Sequence, residues 1–369
     1  MIKSFIPVSV VRAFRIYGSF VEARPHGSGH INDTYVAAFS QSGNRVRYIF
    51  QRINQRVFKD PEPLMENIAR VTGELRRQLE QAGVPDVSRR VLSLVPARDG
   101  RPFHREDCGH YWRCYVFIEN ARTYDIVATP GQAREAARAF GDFQRLVATL
   151  PAPRLHETIK DFHHTRSRFE ALRTAVENDS WRRLHLARDE WDFIRSRESV
   201  VDVLLDLQAG GAIPERVTHN DTKLNNVMID DATEMGVCVI DLDTVMPGLA
   251  LYDFGDMVRT ATSPVAEDEK NISRVHMQMP MFEALVEGYL SSAGGFLNEA
   301  EKAHLVFSGK LITFEIGLRF LTDFLEGDAY FKTDHDGHNL DRCRTQLALV
   351  RSIEEQEDAM QRVVERCSR

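Results

Sequence analysis

The stretch from residue 219 to residue 243 constrains the fold of this chain more than any other. It consists, in order, of a polar run His-Asn-Asp-Thr-Lys-Leu-Asn-Asn, a short apolar strand, a turn rich in Asp and Thr, a second apolar strand and Asp-Leu-Asp. This alternation predicts two strands joined by a tight turn. Because a hairpin brings its two ends together, Asn226 and Asp241 are predicted to meet although they are fifteen positions apart.

These residue types suit phosphoryl transfer from ATP. The transferred group passes through a loose transition state, so a protein mainly positions the reactants and neutralises charge. Asp221 is predicted to be the base that accepts the proton of an attacking hydroxyl. Asn226 and Asp241 would supply the oxygen ligands that Mg²⁺ prefers. Lys223 is predicted to contact the γ-phosphate, and His219 is interpreted as a residue that organises the loop.

A second tripeptide, Asp253-Phe254-Gly255, has the composition of the metal-binding motif of protein kinases. No strand leads directly into it, whereas Asp241 follows an apolar strand. The metal is therefore assigned to Asp241, and Asp253 and Asp256 are predicted to hold loop backbone. Only eight residues separate Asp-Leu-Asp from Tyr252. That is too short for the activation segment of a protein kinase, which favours a small-molecule acceptor.

The N-terminal part contains a candidate nucleotide-binding turn. Two strand-like stretches flank Pro-His-Gly-Ser-Gly-His-Ile-Asn-Asp-Thr-Tyr at residues 25–35. Gly27 and Gly29 would let backbone N–H groups approach phosphates closely, and Asn32 lies in the same turn. Gly-x-Gly also occurs in ordinary hairpins, but the downstream polar loop favours nucleotide binding.

The phosphate-binding lysine expected of a kinase is absent from the third predicted strand, residues 47–52. Gln51 and Arg52 point to opposite faces of that strand, so only one of them can face the nucleotide. Arg52 is favoured because phosphates need a cation, and Gln51 remains the alternative. Glu119 begins the predicted hinge at residues 119–121, where backbone groups would meet adenine.

The order of predicted elements favours an α+β protein of two lobes. Residues 1–118 carry most of the strands, one of them at 91–95, and form the predicted nucleotide-binding lobe. Residues 119–369 are mostly helical and form the predicted catalytic and substrate-binding lobe. From apolar periodicity, helices are predicted at residues 61–81, 129–148, 189–207, 281–289, 299–325 and 340–364.

Composition and charge argue against several classes of protein. The net charge of −7 disfavours nonspecific nucleic-acid binding, which needs a basic surface. The sequence lacks an apolar window of about eighteen residues and a signal-peptide core, so we expect no membrane span and a cytoplasmic location. The five cysteines include no Cys-x-x-Cys pair and suggest reduced thiols rather than disulfides or a zinc site.

The chain resembles the aminoglycoside phosphotransferase and choline kinase superfamily, and within it the bacterial N-acetylhexosamine 1-kinases. The polar loop alone specifies only the superfamily, whereas its Asn-Asp-Thr-Lys version and Arg-Phe-Leu-Thr-Asp indicate the hexosamine kinases. The resemblance implies a bilobal, eukaryotic-protein-kinase-like fold with a small β-rich N-terminal lobe and a larger helical C-terminal lobe. The matching segments are residues 27–35, 50–54, 219–226, 240–248 and 319–328.

The resemblance further implies phosphorylation of the anomeric hydroxyl of N-acetylglucosamine or N-acetylgalactosamine, with ATP and Mg²⁺. It suggests that Arg319 contacts the sugar, that Asp243 helps with metal or sugar, and that His30 touches the sugar. Arg319 and Asp323 lie one helical turn apart. A guanidinium beside a carboxylate suits sugar hydroxyls, and a salt-bridged helix pair is the alternative.

Two other functions remain open on sequence grounds. The first is a kinase of the same fold that acts on an aminoglycoside, choline or another sugar. Cationic acceptors need an acidic or aromatic-lined pocket, and Asp323, Glu326 and Asp328 leave that open. The second is a non-catalytic nucleotide-binding protein, which the missing lysine suggests and the intact polar loop argues against.

Overall fold

The computed structural model describes residues 6–27 and 31–368. Its helices are α1 (Val8–Ala13), α2 (Pro61–Gln81), α3 (Val87–Arg90), α4 (Pro130–Val147), α5 (Thr165–Asn178), α6 (Arg188–Arg195), α7 (Val203–Ala209), α8 (Ala250–Ala261), α9 (Met279–Ala293), α10 (Glu299–Ala303), α11 (Leu305–Leu325) and α12 (His338–Cys367). Its strands are β1 (Ser19–Pro25), β2 (Asp33–Gln41), β3 (Asn44–Arg52), β4 (His104–Arg105), β5 (Tyr111–Val116), β6 (Ala121–Arg122), β7 (Arg216–Thr218), β8 (Val227–Asp230), β9 (Gly236–Val239) and β10 (Met246–Gly248).

The chain divides into two compact units. Unit 1 comprises Met1–Arg122, Thr149–Ile159 and Met228–Met246, and unit 2 comprises Thr123–Ala148, Lys160–Val227 and Pro247–Arg369. Unit 1 therefore includes two segments that follow the predicted N-terminal lobe in sequence. The sheet-rich N-terminal region and the helical C-terminal region confirm the predicted α+β fold.

Unit 1 is built on an antiparallel sheet with strand order β1-β2-β3-β5-β4. Side chains alternate between its two faces. On one face, Ala37, Phe39, Phe50 and Cys114 pack with α1 into an apolar core. The opposite face of the same strands carries the polar residues described below, because its side chains are offset by one position.

Helix α2 begins and ends at the predicted residues, Pro61–Gln81. Proline in its first turn suits a position whose N–H would have no helical partner. The predicted apolar stripe is buried, with Leu64, Ile68 and Val71 fully inaccessible to solvent.

Three sequence-based element predictions are wrong. Within residues 91–95, Leu94 forms an isolated bridge to Tyr115 rather than part of a strand. The helix predicted at 189–207 is two helices, α6 and α7, since Ser and paired valines between them favour helix poorly. The helix predicted at 299–325 breaks at His304, whose backbone leaves the helical region, into α10 and α11.

Unit 2 packs α4 against α9, and α11 against α8 and α12. Close helix approach explains two glycines. A Cβ on Gly288 would lie 2.1 Å from the Arg134 carbonyl oxygen, and one on Gly255 would lie 2.4 Å from that of Ser308. Across residues 6–27 and 31–368, no helix is both long and apolar enough to cross a membrane.

Candidate active site

The polar loop 219–226 follows β7 in unit 2 and is anchored by its first residue. The His219 ring is completely buried and makes edge contacts with Phe140 and Phe143 of α4, at ring-centroid distances of 5.3 and 5.8 Å. The next residue, Asn220, adopts a left-handed backbone conformation with φ of 65°. Such strain in a non-glycine residue is typical of functional loops and needs strong support from its surroundings.

That support comes from Asp253 and Asp256 on α8. The Asp253 carboxylate accepts hydrogen bonds from the backbone N–H groups of His219 at 2.9 Å and Asn220 at 2.7 Å. Asp256 accepts one from the Thr222 N–H at 2.8 Å. Complete burial raises the pKa of Asp253 above its ordinary value despite these bonds. The prediction that both carboxylates hold loop backbone is confirmed.

The predicted base, Asp221, has both carboxylate oxygens engaged by neighbours in its own loop. Lys223 Nζ lies 3.0 Å from Oδ1, and Asn226 Nδ2 donates to Oδ2 at 3.0 Å. Burial disfavours the charged form of Lys223, but Asp221 and Asp256 outweigh it and raise the Lys223 pKa. The structure thus brings three predicted site residues together around one carboxylate.

Asn226 is oriented by its amide nitrogen, which also donates to the Asp221 backbone carbonyl at 2.8 Å. Because the nitrogen is committed to Asp221, the amide group is held in one orientation, with its oxygen turned away from that carboxylate. An oriented amide oxygen is a ligand that a hard divalent cation accepts.

The predicted hairpin after the loop is present in unit 1. Strands β8 and β9 are neighbours in the sheet β6-β8-β9, and the Asp230 N–H donates to the Met235 carbonyl across the turn. Asp241 follows β9 in the left-handed conformation, with φ of 59°. A short 3-10 turn, Leu242–Thr244, comes directly after it.

The second aspartate of Asp-Leu-Asp, Asp243, forms a buried polar network in unit 1. It makes an ion pair with Arg113 and accepts a hydrogen bond from Asn32 Nδ2 at 2.5 Å. Arg113 also donates from Nε to Gln51 Oε1 at 2.9 Å. Gln51 in turn donates to Thr34 Oγ1 at 3.0 Å. Asn32, Gln51 and Asp243, all considered in the sequence analysis, therefore meet in one network.

Arg113 is the central residue of this network and was not identified from the sequence. It lies on β5, directly opposite Gln51 on β3, and only 1% of its surface is exposed. Burial opposes its charge, but Asp243 and then Asp241 raise its pKa further above the ordinary value. The available signal was a single arginine within the apolar strand Tyr111–Ile118.

Arg52 lies on the other face of β3 and forms a half-exposed ion pair with Asp33. The structure places Gln51, rather than Arg52, on the face that carries Arg113. Gly27 has φ of 80°, a conformation that glycine adopts without strain. Gly29 and His30 lie outside the described residues.

Glu119 borders a cavity of about 420 Å³ in unit 1. Its carboxylate pairs with Arg47, whose guanidinium lies 3.9 Å above the centre of the Phe117 ring. Its carbonyl oxygen accepts a hydrogen bond from Arg89 at 3.0 Å. The cavity is lined by Glu22, Arg24, Val36, Ala38, Arg45, Arg47 and Glu119.

Arg319 of α11 lies among aromatic rings in unit 2. Its guanidinium carbon is 5.4 Å from the ring centre of Phe162, 5.9 Å from that of Tyr330 and 5.6 Å from that of Phe331. Cation–π attraction at these distances holds the side chain in place. Arg319 is thereby oriented by aromatic contacts.

Asp323, one turn further along α11, accepts hydrogen bonds from the loop that follows the helix. Its carboxylate accepts the backbone N–H groups of Tyr330 at 2.7 Å and Phe331 at 2.9 Å. It also accepts from Asn339 Nδ2 at 2.8 Å. Asp323 therefore anchors the backbone of two of the three aromatic residues that contact Arg319.

His163 links the polar loop to α11. One ring nitrogen contacts the Asn220 carbonyl at 3.3 Å, and the other contacts Glu315 Oε1 at 2.8 Å. Burial disfavours the Glu315 charge, but His163 outweighs it and lowers the Glu315 pKa. Both ring nitrogens of His163 therefore face oxygen atoms. Glu315 lies one turn before Arg319, so the polar loop 219–226 and the helix that carries Arg319 share a buried connection.

Residues 22–285 match the family described as "Phosphotransferase enzyme family". This region covers more than half of the chain. The chain belongs to the phosphotransferase enzyme family. The resemblance at the level of the superfamily is therefore confirmed.

Solved structures of phosphotransferases share the fold of this family member. An aminoglycoside phosphotransferase from Alicyclobacillus acidocaldarius superposes with a TM-score of 0.65 at 14% identity, covering 99% of this chain and 98% of its own. An amicoumacin kinase solved with AMP-PNP and Ca²⁺ gives 0.58 at 12% identity and 92% of each chain. Spectinomycin phosphotransferase, solved with ADP and spectinomycin, gives 0.53 at 11% identity, covering 95% of this chain and 94% of its own. At such low sequence identities, the structural similarity establishes the fold alone.

Proposed function

We propose that this phosphotransferase uses ATP and Mg²⁺ to phosphorylate the anomeric hydroxyl of N-acetylhexosamines, giving the sugar 1-phosphate. The observation that carries the proposal is the Asp221 carboxylate, held by Lys223 on one oxygen and by Asn226 on the other. A fixed carboxylate in a strained, well-anchored loop suits a base that must meet one hydroxyl in one orientation.

Asp221 accepts the proton of the attacking hydroxyl in this mechanism. A carboxylate is a weak base in water, but in a loose transition state the proton leaves late. An anomeric hydroxyl is more acidic than an ordinary alcohol, so a modest base suffices. Lys223 lies beside Asp221 and supplies positive charge for the phosphoryl group.

The donor set fits a hard divalent cation. Asn226 offers an oriented amide oxygen, and Asp241 offers a carboxylate held in a strained backbone conformation. We assign these two residues as Mg²⁺ ligands on the order of the motif and the oxygen chemistry. When bound, Mg²⁺ supplies charge neutralisation at the phosphates.

Unit 1 offers features that suit a nucleotide. The cavity bordered by Glu119 is large enough for a purine base. Gly27 lies in the turn between β1 and β2, where backbone N–H groups suit phosphates. Arg113 is close enough to Asp241 to interact with it electrostatically. On the sheet face that carries Gln51, Arg113 supplies the positive charge for which a kinase usually has a phosphate-binding lysine.

The surroundings of Arg319 favour a neutral acceptor over a cationic one. Burial, and then the positive charge of Arg319, lower the Arg168 pKa, so two guanidinium groups share this region of unit 2. Two of the three carboxylates considered for a cationic acceptor are already used, because Asp323 holds backbone N–H groups and Asp328 pairs with Arg183 at 2.5 Å. Aromatic rings and an oriented guanidinium suit the faces, hydroxyls and acetamide of a sugar.

A Mg-ATP phosphorylation screen over free sugars, choline and aminoglycosides, with phosphorus NMR of the product, tests the proposal. We expect a sugar 1-phosphate from an N-acetylhexosamine. Turnover restricted to choline, an aminoglycoside or another alcohol would overturn the acceptor and favour the alternative kinase. Absence of Mg-dependent turnover on every acceptor would favour a nucleotide-binding protein without catalysis.

A further inference from the structure

The turn between β4 and β5 of unit 1 gathers three different metal-binding side chains. Glu106, Cys108 and His110 alternate along the chain, and one ligand atom from each lies within 4.8 Å of the other two. In the part of the chain that the structure describes, this is the only such group of three or more His, Cys, Asp or Glu residues. We propose that this turn binds a divalent ion of borderline softness, of the Zn²⁺ class.

Two of the three atomic separations are close to the edges of a tetrahedral site, and the third is within 4.8 Å. His110 Nδ1 lies 3.4 Å from Cys108 Sγ and 3.7 Å from the Glu106 carboxylate. Zinc bonds of ~2.3 Å to sulfur and ~2.0 Å to nitrogen or oxygen, at tetrahedral angles, place ligand atoms roughly 3.3–3.6 Å apart. Only small side-chain shifts are therefore needed to accommodate the ion.

The turn holds these side chains before an ion arrives. The Glu106 N–H donates to the His110 carbonyl, and the Gly109 N–H donates to the Glu106 carbonyl, both at 2.8 Å. Gly109 has φ of 90°, which a glycine permits. Because the backbone is closed by two hydrogen bonds, binding orders little additional chain.

A hydrogen bond from Trp112 also orients the Glu106 carboxylate. The indole N–H of Trp112 donates to Glu106 Oε2 at 2.7 Å, and Trp112 itself is buried. Hydrogen bonds of this kind hold the metal-binding side chains in place and raise the affinity for the metal. Cys108 and His110 are exposed, so an ion can reach them directly from solvent.

The ligand chemistry selects the ion. A thiolate with an imidazole prefers Zn²⁺ and Co²⁺ to Mg²⁺ or Ca²⁺, which take oxygen ligands. The thiol releases its proton as the metal–sulfur bond forms. Three protein ligands leave one tetrahedral position for water. The spacing of the cysteines does not indicate this group, because only one of its three ligands is a cysteine.

Cobalt titration of the chelator-treated, full-length protein tests the site. We expect one Co²⁺ per chain with a thiolate-to-cobalt charge-transfer band, displaced by Zn²⁺. Oxygen ligands elsewhere give no such band, so Mg²⁺ ligands of the proposed kinase do not interfere. The band should be lost in Cys108→Ser and kept in Cys367→Ser, the matched control at the other cysteine that is not buried.

A second variant separates coordination from a simple Cys–His hydrogen bond. Trp112→Phe removes the N–H donor to Glu106, and we expect Zn²⁺ affinity to fall about tenfold. Unchanged phosphotransferase activity of Cys108→Ser would show that this variant is folded. Absence of the charge-transfer band in the parent protein, or its persistence in Cys108→Ser, would overturn the proposal.

Discussion

Arg113 and Asp243, separated by 130 positions in the chain, form an ion pair in the interior of unit 1. Their side chains are only 1% and 5% exposed. A buried pair contributes little net stability compared with apolar residues, whereas removal of one partner leaves an uncompensated charge. The pair therefore makes Asp243 a structural partner of β5, in addition to any role toward metal or sugar.

Arg113→Met should lower the free energy of unfolding by about 3–5 kcal/mol, because it leaves Asp243 buried and unpaired. The double variant Arg113→Met with Asp243→Asn should recover part of that loss. Urea unfolding of both single variants and the double variant measures the coupling. Strictly additive losses would show that the two side chains do not interact.

Asp221→Ala should lower kcat by roughly 10²–10⁴-fold, the usual contribution of a general base. ATP affinity should change little, because Asp221 is proposed to act on the acceptor hydroxyl and most of the proposed nucleotide contacts lie in unit 1. Steady-state kinetics and equilibrium binding of a fluorescent ATP analogue separate the two effects. Turnover close to that of the parent protein would contradict the assignment of the base.

Asp241→Ala should abolish Mg²⁺-dependent turnover while the protein stays folded. Asp253→Ala should instead destabilise the protein, because it leaves the buried N–H groups of His219 and Asn220 without their acceptor. Each such loss costs about 1–3 kcal/mol. Thermal unfolding and a Mg²⁺ titration of activity distinguish the variants. Retained Mg²⁺-dependent turnover in Asp241→Ala would refute the choice of Asp241 over Asp253.

Arg319→Lys should raise KM for the sugar about 10- to 100-fold, as expected for loss of a charged hydrogen bond of about 1.5–3 kcal/mol. Lysine keeps the charge but lacks the planar fork that binds two oxygens at once. KM for ATP should stay constant. Arg344→Lys, at a pair with Glu190 elsewhere on unit 2, is the matched control. Equal KM values for the two variants would exclude a sugar contact.

Glu74 should make unit 1 sensitive to acid. Hydrogen bonds from Arg77, and then from Gln78 and Thr149, lower its pKa from 4.5 to about 2. A lowered folded pKa stabilises the protein above pH 4.5, and this stabilisation is lost as the pH falls toward 2.

Glu74→Gln tests this contribution. At pH 7 it should cost about 1 kcal/mol, because Arg77 is half exposed and solvent screens the pair. Urea unfolding from pH 7 to pH 2 should show the difference between parent and variant shrinking in that window. A constant difference over the range would contradict the role of the Glu74 charge.

The parts of the site that depend on local sequence could be predicted. The hairpin of β8 and β9 follows from apolar runs around a turn, and α2 follows from one continuous apolar stripe. The anchoring role of Asp253 followed from the absence of a strand before it. Each of these conclusions uses neighbouring residues only, where periodicity is informative.

The parts of the site that depend on the register between paired strands could not be predicted from the sequence. Arg113 meets Gln51 only because β5 pairs with β3 in one particular register, across 62 positions of sequence. Apolar periodicity gives the faces of a strand but not its partner. The breaks between α6 and α7 and at His304 were missed as well, because helical apolar spacing continues across a short interruption of the backbone.

The buried link through His163 has a consequence for how acceptor preference can change. His163 contacts the Asn220 carbonyl on one side and Glu315 on the other, so a shift of α11 would disturb the loop that carries Asp221, the proposed base. The loop that contains Tyr330 and Phe331 is instead anchored to α11 through Asp323, which accepts hydrogen bonds from both backbone N–H groups. We expect substitutions in that loop to change the surroundings of Arg319 while the polar loop 219–226 keeps its own anchors on α8.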